Sequence, residues 1–396
     1  MKRQLHARLV AALAGTVTLL ACSPDSPVAP PSAASLAAPG ARASVLGPGD
    51  GTRVMKLLAN PRGLAWGPDG ALYVAEAGRG GPATTGPCFI SFAQTMCYGA
   101  TGAVSRLLNG VQERLIDDLP SYAQVNNGRA EGPNGISLHQ VAGAYVTIGL
   151  ETDPAVVRAQ NATWTQFARL VRIAPSALTP GRGKPAARVW DFVADLGQYE
   201  IDANPDCGDI DSNPFGVLAE PGGVIVADAG GNALVRSSPS GKLSTFAAFW
   251  NNTTVPGPGC PPGATRDFVP TSIITGPDGA YYIGHLNGLT ILPGSSSVWR
   301  MERGGVPEVY RTGFTWIIAL AFDPSGNLWV LQHSDGPNTN SGGSLIRVAP
   351  DGTHTTVASN LPRPGGLAVD ENGAVYVSMV PGQNFKGDGE VRKYTP

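Results

Sequence analysis

Charge is scarce in this chain. Only 15% of its 396 residues are Asp, Glu, Lys or Arg, the formal net charge is −2, and no run of Lys or Arg occurs anywhere. A nucleic-acid or anionic-surface partner needs a basic patch to recruit phosphates, so both are excluded as principal partners. Histidine is nearly as sparse, with five residues spread widely, which leaves little material for a histidine metal site. Nucleophile elbows, zincin helices and phosphate loops are lacking as well: Gly181-Arg182-Gly183-Lys184-Pro185 does not have Walker spacing, and Gly78-Arg79-Gly80 does not open a helix. The segment Asp209-Ile210-Asp211-Ser212-Asn213, with Glu220 at the twelfth position, imitates a calcium loop, but Pro214 stands where that loop needs a flexible residue. Long apolar runs are limited to Leu9–Ala21, too short to span a bilayer as a helix.

What the chain has in quantity is Gly (52) and Pro (35), a composition suited to many short strands and tight turns. Six times the same phrase returns, starting at Pro61-Arg62-Gly63-Leu64, Pro133-Asn134-Gly135-Ile136, Pro214-Phe215-Gly216-Val217, Pro270-Thr271-Ser272-Ile273, Ile317-Ile318-Ala319-Leu320 and Pro364-Gly365-Gly366-Leu367. Its third position is always Gly, Ser or Ala, as expected of innermost strands crowding a narrow channel. Each copy continues through a turn, such as Pro68-Asp69-Gly70, Pro277-Asp278-Gly279 or Pro324-Ser325-Gly326, into a second run apolar on both faces, such as Val224-Ile225-Val226-Ala227. A third run follows and always carries an Arg, read as solvent-facing or bridging to the next blade. The fold expected is an all-β, six-bladed β-propeller. The sixth copy stops after its third strand, so Val54-Met55-Lys56-Leu57-Leu58 is expected to complete its sheet and remove the exposed edge.

The domain reading is 1–21 signal peptide, 22–52 disordered Pro/Ala/Ser tether and 53–396 propeller. Lys2, Arg3 and Arg8 precede the apolar stretch, and Leu19-Leu20-Ala21-Cys22 is similar to a bacterial lipobox in which Cys22 is lipidated. A plain secretory peptide with a chance Cys is the competing reading. Because Ser23 follows Cys22, the expected place is the outer membrane of the cell envelope, with secretion as the alternative. In an oxidising compartment the other four cysteines are expected to pair as Cys88 with Cys97 and Cys207 with Cys260, although three connectivities are open. Wide spacing and the lack of Cys-x-x-Cys disfavour a cysteine metal site.

The chain resembles the ScyD/ScyE family of bacterial NHL-type propellers over about residues 53–396. The likeness is carried by Ala75-Glu76-Ala77-Gly78-Arg79-Gly80-Gly81, Thr101-Gly102-Ala103-Val104-Ser105-Arg106, Asp211-Ser212-Asn213-Pro214-Phe215-Gly216, Ala227-Asp228-Ala229-Gly230-Gly231-Asn232 and Ile346-Arg347-Val348-Ala349-Pro350-Asp351-Gly352. It implies the propeller and no particular reaction; a more distant likeness to lactonase-type propellers implies a divalent cation in the channel.

Extra residues in the first three repeats fall between strands two and three (Glu76–Ala103, Gly149–Phe167) or between blades (Pro120–Gly132, Asp191–Asn213, Asn251–Val269). Both kinds of connection lie at one end, where function is expected. Candidate ligand-binding residues at that mouth are Arg62, Glu76, Asn134, Asn213, Asp228 and His285, with Thr271, Gln332 and His333 nearby; Glu76, Asn213 and Asp228 are candidate ligands of a hard cation such as calcium. Glu76 and Asp228 serving as anchors for their own loops is the alternative. Two function classes follow: a tethered module binding an unidentified small molecule, glycan or protein, which the missing catalytic motif favours, and a metal-dependent hydrolase or lyase. Cys22→Ser is expected to move the protein from the membrane fraction to a soluble or unprocessed form, and unchanged fractionation would remove the lipid anchor.

Overall fold

The computed structural model describes residues 45–91, 93–179, 188–249, 267–288, 291–339, 341–382, 385 and 388–395. Cys22, Gly181–Lys184, Cys260 and residues 1–44 of the expected leader and tether lie outside these.

Six antiparallel sheets of at least four strands form a six-bladed β-propeller. Inner strands Pro61–Trp66, Pro133–His139, Pro214–Glu220, Pro270–Thr275, Ile317–Phe322 and Pro364–Val369 touch their neighbours in a closed cycle. Each is followed by a middle strand: Leu72–Glu76, Gly143–Ile148, Gly223–Asp228, Tyr281–His285, Leu328–Gln332 or Val375–Met379. These are buried almost throughout, because a blade packs against a neighbour on both faces. In the sixth blade the outer strand is Thr52–Leu58, paired through Thr52↔Lys393 and Leu58↔Gly389. The first and last segments of the propeller thus close one sheet, as the missing fourth strand demanded.

The small third position of the inner strand has a more specific cause than a crowded channel. A Cβ on Gly63 would lie 2.8 Å from the Asn134 carbonyl oxygen of blade two, and one on Gly216 2.8 Å from that of Thr271 in blade four. Gly135 against Phe215 O, and Gly366 against Arg62 O, leave still less room. Neighbouring blades meet backbone to backbone, and any side chain pointing across the seam would push them apart. Hydroxyls then stitch the seams. Thr147 Oγ1 donates to Phe215 O at 2.7 Å, Thr271 Oγ1 to Ile317 O at 2.6 Å, and Ser378 Oγ to Arg62 O at 2.7 Å, joining blades two to three, four to five and six to one.

The long connections contain more regular structure than their Gly, Pro and Asn content suggests. Pro120 lies inside the outer strand Val111–Gln124, which pairs with the third strand Gln94–Leu108 well beyond the body of blade one. Cys88–Ser91 and Ala130–Glu131 add to that sheet, and the Cys88–Cys97 disulfide ties two of its strands together. Gly149–Phe167 contains the helix α1, Pro154–Gln160, capped by Asp153. The segment read as Asp191–Asn213 loop begins with the fourth strand of blade two, Trp190–Asp195, and continues as α2, Leu196–Ala203, capped by Asp195. Cys207 is disulfide-bonded.

Two expectations are sharpened. The body begins before residue 53: Leu46 N donates to Val357 O at 2.8 Å and Leu46 O accepts from Ser359 N at 2.9 Å, seating an apolar side chain beside the strand His354–Leu361. Of the recurrent arginines, Arg106 is buried and bridges blades, donating to Leu178 O at 2.6 Å and to Glu113 at 2.7 Å.

Gly366→Ala is expected to cost about 1–3 kcal/mol in urea unfolding through overpacking of the blade six to one seam. Gly49→Ala, at an exposed turn where the added Cβ meets nothing within 4 Å, should stay within about 0.5 kcal/mol.

Candidate functional site

Four of the six candidate binding residues belong to one hydrogen-bonded chain that crosses three blades. Arg62, on the first inner strand, donates to Ala130 O at 2.8 Å and to Glu131 Oε1 at 3.2 Å. Glu131 Oε2 accepts from Asn134 Nδ2 at 3.3 Å, and the same amide nitrogen reaches Asn213 Oδ1 at 3.4 Å and Pro214 O at 3.3 Å. Asn213 N donates to Asp228 Oδ1 at 2.6 Å, and Ser212 Oγ to Asp228 Oδ2 at 2.7 Å. Arg62, Asn134 and Asn213 stand at the entry of inner strands and Asp228 at the end of a middle strand, so the antiparallel order of the blade places these four at one level around the axis.

Glu76 is not part of this chain. Fully buried in blade one, it accepts from Ala59 N at 2.6 Å, from Ser105 Oγ at 2.5 Å and from both Nε and Nη2 of Arg114. Both of its oxygens are occupied within its own blade. Asp228 likewise holds its own loop, with Gly231 N as a further donor at 3.2 Å. Among the described residues no three His, Cys, Asp or Glu side chains are grouped to hold a metal ion. Among the described residues, Glu76, Asn213 and Asp228 therefore do not present open oxygens to one shared cation. The calcium-loop imitation dissolves too, since Glu220 is occupied by Arg236, Arg303 and Tyr281.

His285 stands in blade four, saturated: Nδ1 donates to Phe268 O at 3.0 Å and Nε2 accepts from Ser297 N at 3.0 Å. Burial holds it neutral, with a pKa lowered to about 4. Thr271 is a seam hydroxyl, and Gln332 bonds Thr315 N, Asp335 and Ser344. His333 differs. Its Nδ1 donates to Pro364 O at 2.8 Å; burial first, and then the charges of Arg62, Arg363 and Arg129, lower its pKa to about 4.

Residues that sequence reasoning missed complete the mouth. Glu131 is 3% exposed and pairs with Arg62; burial raises its pKa while the Arg62 charge lowers it. Arg129 grips Glu151 bidentately at 2.9 and 2.5 Å, which raises the arginine's pKa, and Glu151 sits at φ 61°, a left-handed conformation rare for its type. Beside them a buried acidic group packs under the Gly230-Gly231 turn. Glu200 on α2 is 3% exposed, and among the described residues neither its Oε1 nor Asp211 Oδ1 has a hydrogen-bond partner. Burial, reinforced by Asp228, Asp206 and Asp211, raises Glu200 to about 9; burial and Asp228 raise Asp211 to about 7. The signal that could have found Glu131 was its place three residues before Asn134 in a between-blade connection. Nothing in the local pattern marks Glu200.

No protein-family model and no curated protein matches this chain. Among solved structures it is similar to virginiamycin B lyase from Staphylococcus aureus (13% identity, covering 85% of each chain, TM-score 0.43). It is similar also to a luciferin-regenerating enzyme (10% identity, 87% of this chain and 93% of that one, TM-score 0.47) and to the calcium-binding protein regucalcin from Agrobacterium tumefaciens strain C58 (12%, 88% and 95%, TM-score 0.47). At such identities and scores these likenesses do not bear on what this chain binds.

A carboxyl whose folded pKa lies above its ordinary 4.5 binds its proton more tightly in the folded state. Its contribution is therefore full below about 4.5 and is lost as pH rises toward about 9. The melting temperature is expected to fall across that window. Glu200→Gln should flatten the fall and exceed the wild type at pH 9; an unchanged slope in the variant would show that Glu200 is not held neutral.

Proposed function

We propose that this chain is an exported, lipid-anchored propeller of the ScyD/ScyE type that acts by binding a polar ligand at its loop-built face. One observation carries the reading. In the chain from Arg62 to Asp228 every carboxylate oxygen has a donor, yet Asn134 Oδ1 is buried without a partner among the described residues, beside the axial cavity of about 90 Å³ that Asn134 helps to line. Buried acceptors are almost always satisfied, so an orphan at the focus of an ordered network calls for a donor from outside the chain. Ligands rich in hydroxyl or amino groups supply such donors, and glycans are the class with most of them. Export and the anchor at Cys22 rest on the leader sequence.

A second reading, a metal-dependent hydrolase or lyase, is supported by His333. Its Nδ1 is committed to Pro364 O and its imidazole is neutral, so Nε2 carries a lone pair able to take a proton.

Thermal shift across a panel of oligosaccharides and amino sugars tests the first reading. At least one should stabilise the wild type, with affinity lost about tenfold or more in Arg62→Gln, since a buried charge-assisted contact is worth roughly 1.5–3 kcal/mol. No stabilisation by any of them, together with lactone or ester turnover in Ca²⁺, Mn²⁺ or Zn²⁺ that His333→Ala abolishes, would replace the binding module with the enzyme.

A further inference from the structure

The opposite, turn-bearing end of the propeller has a site of its own in the cleft between blades two and three. A cavity of about 170 Å³ is lined there by His139, Tyr145, Arg172, Val193, Glu220 and Val224. Register places the polar groups on one surface. Tyr145 pairs with both Ser137 and Arg172 across adjacent strands, and His139 follows Ser137 by two residues, so all four project from the same face of blade two. That face abuts blade three, because Ser137 Oγ accepts from Ala219 N at 3.0 Å.

The donors on it are uncommitted. Ala142 N donates to His139 Nδ1 at 3.3 Å, which leaves the proton of the neutral ring on Nε2. Among the described residues neither that Nε2, the Tyr145 hydroxyl nor the Arg172 guanidinium has a hydrogen-bond or ion-pair partner. Asp191 is the cross-strand neighbour of Arg172 and forms no ion pair with it. The one carboxylate in the wall does not repel an anion, because Glu220 is already held by Arg236 at 3.1 Å, Arg303 at 2.9 Å and the Tyr281 hydroxyl at 2.8 Å. Three free donors therefore face a cavity whose remaining wall includes Val193, Val224 and Pro239.

We infer that this cleft binds a small organic anion, a carboxylate or phosphate on a body no larger than one ring. The guanidinium matches either oxyanion with two parallel N–H bonds, and the tyrosine hydroxyl and imidazole N–H can take the remaining lone pairs. The body faces the apolar wall. An apolar cavity of about 150 Å³ accepts a benzene molecule, so a space of about 170 Å³ sets the limit at a single ring. The site shares no residue with the loop-built face and stands or falls separately from it.

Calorimetric titration of the purified, folded protein with benzoate, phenyl phosphate and benzyl alcohol tests this. At least one anion should bind about tenfold or more tightly than the alcohol, which has the ring without the charge. Arg172→Gln should weaken that anion about tenfold or more, while Arg62→Gln on the other face leaves it unchanged. Arg172 is exposed, so its replacement should not move the melting temperature; if it does, Tyr145→Phe removes one donor alone and is expected to weaken the anion about threefold or more. Equal binding of alcohol and anions, no binding at millimolar concentration, or full affinity in both variants would overturn the site.

Discussion

The contact on which the molecule depends is the seam where one inner strand's backbone lies against the next strand's carbonyls. At Gly63, Gly135, Gly216 and Gly366 the space that a Cβ would fill is taken by the neighbouring blade. Where the ring has Ser272 instead, the hydroxyl is turned to use and accepts from Leu320 N at 3.2 Å. Close approach brings polar backbone groups of different blades within reach of short side chains, which is why threonine and serine, with their small reach, do the stitching. It also leaves the channel narrow, so groups at its mouth meet one another before they meet solvent.

That crowding explains the state of the charged residues. Arg62 and Glu131, 13% and 4% exposed in their side chains, sit where burial alone would disfavour both, and each is stabilised because the other is held opposite it by a rigid strand. Glu200 and Asp211 have no such cation among the described residues, and burial raises the pKa of both carboxyls. The loop face thus combines paired charges near blade one with buried carboxyls of raised pKa near blade three. On the turn face Arg172 is left without a partner among the described residues.

How much of this was legible depends on whether the determining contact is local. Turn residues such as Asp69 and Asp278 bond to Ala71 N and Ala280 N two positions on, and such pairings are written in the sequence itself. The six-fold phrase and the need for Thr52–Leu58 were equally plain, because apolar runs and an unfinished sheet are visible without coordinates. The pairing of Cys88 with Cys97 followed from their sharing one loop. In contrast, α2 was hidden inside a stretch rich in Asp and Gly; its start is fixed by the Asp195 side chain on Gln198 N, and its inner face by Leu196 and Glu200 packing under a turn of blade three. The roles of Glu76 and Asp228 could not be separated from cation binding by sequence, since the two differ only in who donates to the oxygens. Arg172 looked like its five counterparts; Arg106, Arg236, Arg300 and Arg392 hold carboxylates, whereas Arg172 and Arg347 form no ion pair among the described residues, and Arg172 lines the turn-face cavity.

Closing the sixth sheet with Thr52–Leu58 has a consequence for the order in which the molecule can be made. Ser378 reaches Arg62 and Arg392 reaches Gly51, contacts spanning 316 and 341 residues. A chain synthesised from its N-terminus carries an unpaired edge strand through the whole of that passage, with its partner at Gly389–Tyr394 the last to arrive. Blades one to five hold all their own strands and can assemble as they emerge, but Thr52–Leu58 cannot pair until Gly389–Tyr394 exists to receive it. The ring therefore behaves as a latch that only a finished chain can fasten, and a product truncated before Gly389 leaves Thr52–Leu58 without its partner.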